Sequence, residues 1–576
     1  MVTNQNRPGY KLPTKPEERG GNVAQGFTTP TQDRTPQVHS IPPKRVIPII
    51  FIPGIMGSNL RMSADRQARM KKENNIAWRP DNLRETLSIA NDSAAERQLR
   101  FDPSTTELDV YDPIANDTGA ASETSDMRNG NIHFSSQYGG SWKRLGGPLL
   151  QPDRAGSPKA KTRDQKTRER GWGEVFFGSY RTILSECEIR LNGAFSGSFN
   201  DIYLMGSIAG VDPLQWGAVA DFRLQAIDES TLRAVVKGCW FPVHAMGYNW
   251  LRDNMESGIK TAMRVKDLIT KYQDQGYQCQ KVILITHSMG GLVARAMIHP
   301  KMGNISEQVL GIIHGVMPAI GAATAYKRMR SGFEGDDKAA EILGAIGSHV
   351  TAVLGNSQGG LELLPSQAYG NGWLELANEK GVIQSWPKNG DPYEEIYKAD
   401  AKWYSLLRVE WLNPAEVPGR NLKRSYNLLD RAKEFHNQIF ETYHENSYAH
   451  YGADATGHTW YKVRWKFQGQ FSVDDFDSLI IVKDNETGLL NLKPPKKSSS
   501  GAGGDNLIIS NLQSPTDPGD QTVPVFSADA QLRSGKFKGV FRQTGYEHQA
   551  SYSNKEVIAA TIYCLYKIIE TMRWSK

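Results

Sequence analysis

The chain has 576 residues, a length that allows three or four domains of about 150 residues each. Hydrophobic residues make up 39% of it, which excludes a wholly disordered chain, and no apolar run reaches the about 18 residues that a membrane-spanning helix needs. The net charge is +6, of which residues 1–45 carry +4 through seven basic and three acidic residues. Because the rest of the chain is nearly neutral, we expect no nucleic-acid partner.

The N-terminal segment and the cysteines bear on the compartment and on cofactors. Residues 1–45 hold seven prolines and little aliphatic periodicity, which predicts a flexible, basic, Pro-rich arm. They lack the apolar stretch of a Sec signal, so we expect synthesis in the cytoplasm without one. The cysteines are widely spaced and include no C-x-x-C pair, which predicts reduced thiols with no metal site and no disulfide framework. They are Cys187, Cys239, Cys279 and Cys564. We expect no cofactor.

The ordered part of the chain begins with a short apolar run at residues 46–52, bounded by Pro and Gly and typical of a buried parallel strand. Strands and helices then alternate, which predicts an α/β fold with a mostly parallel central sheet and right-handed crossovers. The further predicted strands are residues 241–248, 282–285, 309–313 and 537–541. The predicted helices are residues 258–272, 290–297 and 556–572.

Two stretches of this chain are too long to be simple connections, and we interpret both as insertions that cap the sheet. They separate residue 54 from residue 288 and residue 288 from residue 520. Insertions of this kind lie at the carboxyl ends of strands, where ligands bind. The predicted domain division is a core of residues 46–60, 178–190, 241–330 and 505–576, a first insertion of residues 61–177 and 191–240, and a second insertion of residues 331–504.

The segment that indicates chemistry is THSMGG at residues 286–291, which joins an apolar strand directly to a helix. A sharp strand–turn–helix of this kind is the nucleophile elbow of α/β-hydrolases, in which the strained central serine exposes its hydroxyl above the sheet. Ser288 is therefore the predicted nucleophile. Thr286 replaces the usual first Gly, which predicts a slightly more open elbow. We expect His287 to pack away from the hydroxyl and not to act as the base.

A serine nucleophile needs a histidine base and a carboxylate that orients it, and in this architecture the chain order is Ser, acid, His. His548 is the last histidine of the chain and lies between the final predicted strand and helix, which makes it the predicted base. Asp520, in the turn GDQTVP, is the favoured acid, and Asp517 remains the alternative.

The oxyanion hole is predicted from the Gly-rich turn PGIMGS at residues 53–58, which directly follows the first strand. Such a turn leaves backbone N–H groups free to stabilise a developing oxyanion, as does the residue after the nucleophile. The predicted donors are the N–H groups of Ile55 and Met289.

Four motifs carry a family resemblance: FIPGIMGSNL at residues 51–60, THSMGGL at 286–292, GDQTVP at 519–524 and EH at 547–548. They resemble those of inositol-deacylase-like (PGAP-like) α/β-hydrolases and, more distantly, of lecithin–cholesterol acyltransferase-like lipases. The whole chain resembles bacterial type VI secretion lipase effectors of the first group. The resemblance implies a phospholipase toxin that a secretion apparatus component exports, that acts on target-cell membranes from the periplasm, and that a cognate immunity protein restrains in the producer.

The predicted function is hydrolysis of membrane phospholipid acyl esters by a Ser-His-Asp triad through an acyl-enzyme. A lipid acyltransferase or an inositol-deacylase-like esterase would use the same residues, and a catalytically silent binding protein would be marked by a broken triad. Residues 336–354 form an Ala- and Gly-rich amphipathic stretch that is a candidate lid or a core helix of the cap.

Overall fold

The computed structural model describes residues 43–132, 148–153, 156, 159–192, 208–335, 338–468, 475–495 and 507–575, and gives secondary structure alone for residues 14–16, 22–26 and 37–41. Most of the predicted arm lies outside these ranges. The three short segments within it form an antiparallel sheet, which differs from the predicted flexible arm: Thr14–Pro16, Asn22–Gly26 and Gln37–Ile41. Strand pairing satisfies backbone groups whatever the composition, so composition alone could not predict it.

The central sheet has six strands in the described residues, and every neighbouring pair in it is parallel. This confirms the predicted fold class. In spatial order the strands are Val243–Ala245, Ile49–Ile52, Val282–His287, Val309–Gly315, Ser447–Gly452 and Phe537–Gln543. A short parallel pair, Arg45–Val46 with Cys239–Trp240, lies beside it.

Both faces of the central sheet are covered, because its strands are apolar on both sides. Ile50 and Leu284 point to one face, and Ile49 and Ile283 point to the other. Their near-zero exposure explains why these strands are continuous apolar runs without alternation. The first face packs on helices Asn254–Asp274 and Gly290–Ile298, and the second on helices Phe177–Asn192 and Lys555–Glu570.

The predicted domain division is wrong in several places, and the first is within the second insertion. The strand Ser447–Gly452 lies between two core strands of the central sheet, although residues 331–504 were assigned to the second insertion. Its sequence, SYAHYG, is buried throughout but contains no Val, Ile or Leu. Aromatic and small side chains fill the available space here, so the aliphatic signal for a buried strand is missing.

The first insertion also differs from prediction in its second half. Residues 208–240, assigned to the cap, lie against the core on the face that carries the C-terminal helix. Leu232 and Val236 of helix Glu229–Val236 are buried in the same cluster as Ile562 of that helix, and Tyr563 donates its hydroxyl to the Gln225 carbonyl at 2.9 Å. The amphipathic pattern of this helix, which the sequence analysis did not identify, indicates one buried face but not the element that covers it.

The rest of the first insertion forms a small antiparallel sheet with short helices around it. The strands are Ile76–Trp78, Leu60–Met62 and Thr106–Leu108. The helices are Ala64–Arg69, Leu83–Ala90, Ala94–Arg100, Ser125–Arg128 and Arg163–Glu169.

The second insertion combines helices with a six-stranded sheet, which we call the cap sheet. Its strands are Gly381–Trp386, Leu374–Asn378, Val463–Gln468, Ile508–Leu512, Leu489–Lys493 and Ile480–Asp484. The predicted division is wrong here too, because it placed Ile508–Leu512 in the core at residues 505–576, whereas this strand pairs with two strands of the cap sheet. Its helices are Ala323–Ser331, Lys338–Leu343, Gly347–Leu354, Gln358–Leu361, Val409–Leu412 and Leu422–Ile439. Two short helices, Val525–Ala528 and Ala530–Arg533, follow the predicted acid. Among the described residues, no helix is long and apolar enough to cross a bilayer.

Candidate active site

The strand Val282–His287 ends in a sharp turn that carries Ser288 with φ of +53°. A positive φ is rare for a residue with a side chain and stores local strain, as expected at a nucleophile elbow. The helix Gly290–Ile298 begins two residues later, so close to the first strand that a Cβ on Gly290 would lie 2.5 Å from the Pro53 carbonyl oxygen. Thr286 is accommodated with no exposure, and its carbonyl accepts a hydrogen bond from the Tyr552 hydroxyl at 2.8 Å.

The structure brings Ser288, His548 and Asp520 into one hydrogen-bonded line. Ser288 Oγ lies 2.8 Å from His548 Nε2, and His548 Nδ1 lies 2.8 Å from Asp520 Oδ2. Because the ionised carboxylate can only accept, Nδ1 carries the proton, and Nε2 is left to accept the serine O–H. All three side chains are buried, and Asp520 is 1% exposed. The arrangement can remove a proton from the serine and stabilise the resulting imidazolium.

The Asp520 carboxylate is fixed by its own turn. Its Oδ1 accepts hydrogen bonds from the N–H groups of Thr522 and Val523 at 3.1 and 2.7 Å, which leaves Oδ2 for the imidazole. The backbone is also tied, since His548 N–H donates to the Asp520 carbonyl at 2.9 Å. The alternative acid, Asp517, instead accepts from the Lys462 N–H at 3.4 Å. No contact between Asp517 and His548 is present in the described part of the chain, so geometry favours Asp520.

The two predicted oxyanion donors belong to the segments that adjoin the nucleophile. Ile55 lines the same cavity as Ser288, and Met289 directly follows the nucleophile. The turn that carries Ile55 is closed by a hydrogen bond from Gly57 N–H to the Gly54 carbonyl at 3.1 Å. Within the described ranges, neither Ile55 N–H nor Met289 N–H has a hydrogen-bond acceptor. Two free N–H groups beside a serine are what an oxyanion hole requires, and their role remains a prediction.

His287 faces away from the serine hydroxyl and belongs to a second hydrogen-bonded line, which we call the Tyr180 relay. Its Nε2 lies 3.0 Å from the His548 carbonyl oxygen and therefore donates to it. Its Nδ1 then accepts the Tyr180 hydroxyl at 3.1 Å, and the Tyr180 oxygen in turn accepts the Gly54 N–H at 3.4 Å. Burial lowers the pKa of His287 to about 3, with a smaller contribution from His548. The ring is neutral at physiological pH and holds one tautomer.

The relay joins the three loops that meet at the site: the oxyanion turn, the elbow and the loop of the base. Gly54 is needed there, because a Cβ would lie 2.8 Å from His287 Nδ1 and 2.9 Å from Ser288 Cβ. Sequence analysis missed Tyr180. It lies within the helix Phe177–Asn192 as one aromatic residue among several buried ones, and helical periodicity does not separate a packing tyrosine from a hydrogen-bonding one.

Ser288 and His548 open into a cavity of about 650 Å³, within the size range of sites that hold an extended small molecule. Its walls are mostly apolar and come from both insertions. They include Met56, Trp78, Phe176, Phe333, Leu343 and Leu363. We call this space the catalytic cavity, and its apolar walls are suited to hydrocarbon chains.

Residues 336–354 were expected to form a lid or a core helix of the cap. Residues 336 and 337 lie outside the described residues, and the rest of the stretch forms two helices with different surroundings. Lys338–Leu343 contributes Ile342 and Leu343 to the wall of the catalytic cavity and contacts the helix Leu83–Ala90. Gly347–Leu354 is largely buried against other helices of both insertions.

The parallel sheet, the strained serine and the order of Ser288, Asp520 and His548 define an α/β-hydrolase. A family model described as the PGAP1-like alpha/beta domain matches residues 253–330, which contain the helix before the elbow, the elbow itself and the next central strand. No curated protein matches the chain.

Among solved structures, the chain is similar to one chain of the Tle4-Tli4 complex, with a TM-score of 0.71 and 29% sequence identity. The match covers 92% of this chain and 99% of that chain. Tle4 is a type VI lipase effector, so the resemblance predicted from the four motifs is confirmed. The family domain and this likeness together support a lipase effector of the α/β-hydrolase fold.

Proposed function

We propose that the chain is a serine carboxylic-ester hydrolase of the phospholipase A or lipase type, acting on acyl esters of membrane phospholipids. The observation that supports this most directly is the line from Asp520 through His548 to Ser288, with both hydrogen bonds at 2.8 Å, at the edge of an apolar cavity. A silent binding protein has no need to keep a strained serine paired with an oriented base.

The proposed reaction has two stages. His548 Nε2 takes the hydroxyl proton of Ser288 as its oxygen attacks the acyl carbonyl, and Asp520 holds the imidazolium that forms. The N–H groups of Ile55 and Met289 stabilise the tetrahedral oxyanion, a contribution of about 3–4 kcal/mol for each such donor. His548 then protonates the leaving alcohol, and a water activated by the same histidine releases the fatty acid.

The proposed biological setting is that of a secreted antibacterial effector. The chain is similar over most of its length to Tle4, which has been solved in complex with Tli4. We infer by this likeness that the chain is exported by a type VI apparatus, acts on target-cell membranes from the periplasm, and is bound in the producer by a cognate immunity protein.

The test compares the wild type with Ser288→Ala on mixed phospholipid vesicles, with fatty acid and lysolipid resolved by mass spectrometry. Ser230→Ala is the matched control, because Ser230 is exposed at the start of a helix and does not line the catalytic cavity. We expect release and fluorophosphonate labelling with the wild type and the control, and neither with Ser288→Ala. Activity retained in Ser288→Ala would refute the mechanism, and products esterified to an added alcohol would favour an acyltransferase.

A further inference from the structure

We propose that Arg328 forms a subsite for the phosphate of the lipid headgroup in the catalytic cavity. The inference rests on the proposed function and adds the residue that distinguishes a phosphate-bearing lipid from a neutral one. Arg328 lies on the helix Ala323–Ser331. It is the one lysine or arginine among the described residues that line the cavity.

The Arg328 guanidinium is held in place but keeps donors free. Its Nε and Nη2 donate to the Glu334 carboxylate at 3.0 and 2.8 Å, and it lies 4.5 Å from the centre of the Phe333 ring. In the described part of the chain, Nη1 has no hydrogen-bond partner. An arginine of the cavity wall that is fixed through Nε and Nη2 and keeps the N–H groups of Nη1 unpaired is suited to bind a phosphate oxygen.

The charge balance at this wall favours an anion. Glu334 is shared by two cations, because Lys327 Nζ also lies 2.9 Å from its Oε1. Burial raises the pKa of Glu334, but Arg328 and Lys327 outweigh it and lower the pKa overall, so the carboxylate stays ionised. Arg328, Lys327 and Glu334 together carry a net charge of +1 at this wall, where charge interactions are stronger than in water. Glu547, which also lines the cavity, accepts hydrogen bonds from the N–H groups of Gln549 and Ala550 within its own loop.

The subsite is connected to the catalytic residues through Thr522. Arg328 Nη2 donates to Thr522 Oγ1 at 3.3 Å, and Thr522 N–H donates to the Asp520 carboxylate. The Thr522 hydroxyl lines the cavity and can donate its own proton to a phosphate oxygen. In a glycerophospholipid the phosphate is only a few bonds from the ester carbonyl, so one molecule can reach Ser288 and Arg328 together.

The test measures kcat/KM of the wild type and Arg328→Gln on phosphatidylglycerol and on diacylglycerol with the same acyl chains, in the same neutral mixed micelles. We expect Arg328→Gln to lose about tenfold to a hundredfold on the phospholipid, as for a lost hydrogen bond to a charged group, and to match the wild type on diacylglycerol. The control is Arg533→Gln, because Arg533 also lies over a phenylalanine ring but does not line the cavity. Equal losses on both lipids, or no loss on either, would overturn the proposal.

A second variant separates phosphate binding from a structural role. Glu334→Gln removes the negative charge that neutralises Arg328 and one of the two acceptor oxygens, so we expect tighter binding of the phospholipid. An ion pair that only supports the fold requires weaker binding in both variants. Binding is measured with ether-linked phosphatidylglycerol and ether-linked diglyceride, which no esterase cleaves. Inorganic phosphate is the other possible source of this anion, and we test it by adding it as a competitor for the ether-linked phosphatidylglycerol. If free phosphate bound as tightly as the lipid, the assignment of the subsite to a lipid headgroup would be refuted. Because these binding measurements need no turnover, they test the subsite even if the wild type is inactive. Inactivity would refute the proposed function, and the binding results would still support or refute the phosphate subsite.

Discussion

Replacing Tyr180 by phenylalanine tests whether the Tyr180 relay positions the catalytic base. The change removes one oxygen and leaves the packing intact, since the ring stays against Phe51 at a centroid distance of 4.7 Å. It leaves His287 Nδ1 as a buried acceptor without a partner. The imidazole is then free to move its proton to Nδ1, and in that tautomer Nε2 no longer donates to the His548 carbonyl.

The magnitude follows from these contacts. A buried acceptor left unpaired costs about 1–3 kcal/mol, so we expect the free energy of unfolding of Tyr180→Phe to fall by that amount. The hydrogen bond to the His548 carbonyl has a net value of about 1 kcal/mol, which corresponds to about a fivefold change in rate. We therefore expect kcat to fall about fivefold, with KM unchanged because Tyr180 does not line the cavity.

The assay is hydrolysis of a short-chain soluble ester, well below the unfolding temperature, with urea unfolding of the same samples. Tyr397→Phe is the matched control, because Tyr397 is equally buried and its hydroxyl donates to the Pro365 carbonyl at 2.6 Å, within the second insertion. We expect the control to lose stability and keep kcat. If Tyr180→Phe lost stability but kept wild-type kcat, the relay would support the fold alone.

Two further substitutions test the elbow and a buried acid. In Gly290→Ala the new Cβ would lie 2.5 Å from a backbone oxygen, so we expect a loss of about 1–3 kcal/mol in stability and slow fluorophosphonate labelling; wild-type melting and labelling would contradict this. Burial raises the pKa of Glu362 well above 4.5, with a smaller contribution from Asp253. The folded state therefore keeps a proton that the unfolded state loses, and stability falls as pH rises from the pKa of the unfolded state to that of the folded state. We expect Glu362→Gln to melt higher than the wild type at about pH 8 and by a smaller margin at about pH 5, and a margin independent of pH would refute the assignment.

The elbow was predictable from sequence because its determinants are local. An apolar strand, small residues around Ser288 and an immediate helix fix the turn without any long-range contact. The order of acid and base along the chain then followed from the architecture. The order alone did not exclude Asp517 in favour of Asp520, because the two lie three residues apart in the chain and only the backbone path there decides which carboxylate meets His548.

Other features depend on contacts that sequence patterns do not carry. The strand Ser447–Gly452 is buried by its position between two core strands and lacks the aliphatic residues that mark its neighbours. Tyr180 joins Gly54 to His287 across 126 and 107 residues of chain. Arg328 lies in a run of charged residues that is typical of an exposed helix, and only the fold turns it toward the cavity.

The two-stranded ladder beside the acid has a mechanical consequence. Asp454–Thr459 pairs with Asp517–Gly519, and each of these strands continues within a few residues into a cap-sheet strand, Val463–Gln468 on one side and Ile508–Leu512 on the other. Asp520 is therefore linked to the cap sheet through a short, irregular ladder. Because a tilt of the cap sheet would move the backbone that carries Asp520, we expect the rate at which Ser288 reacts with a small probe to report the position of the cap without a label on it.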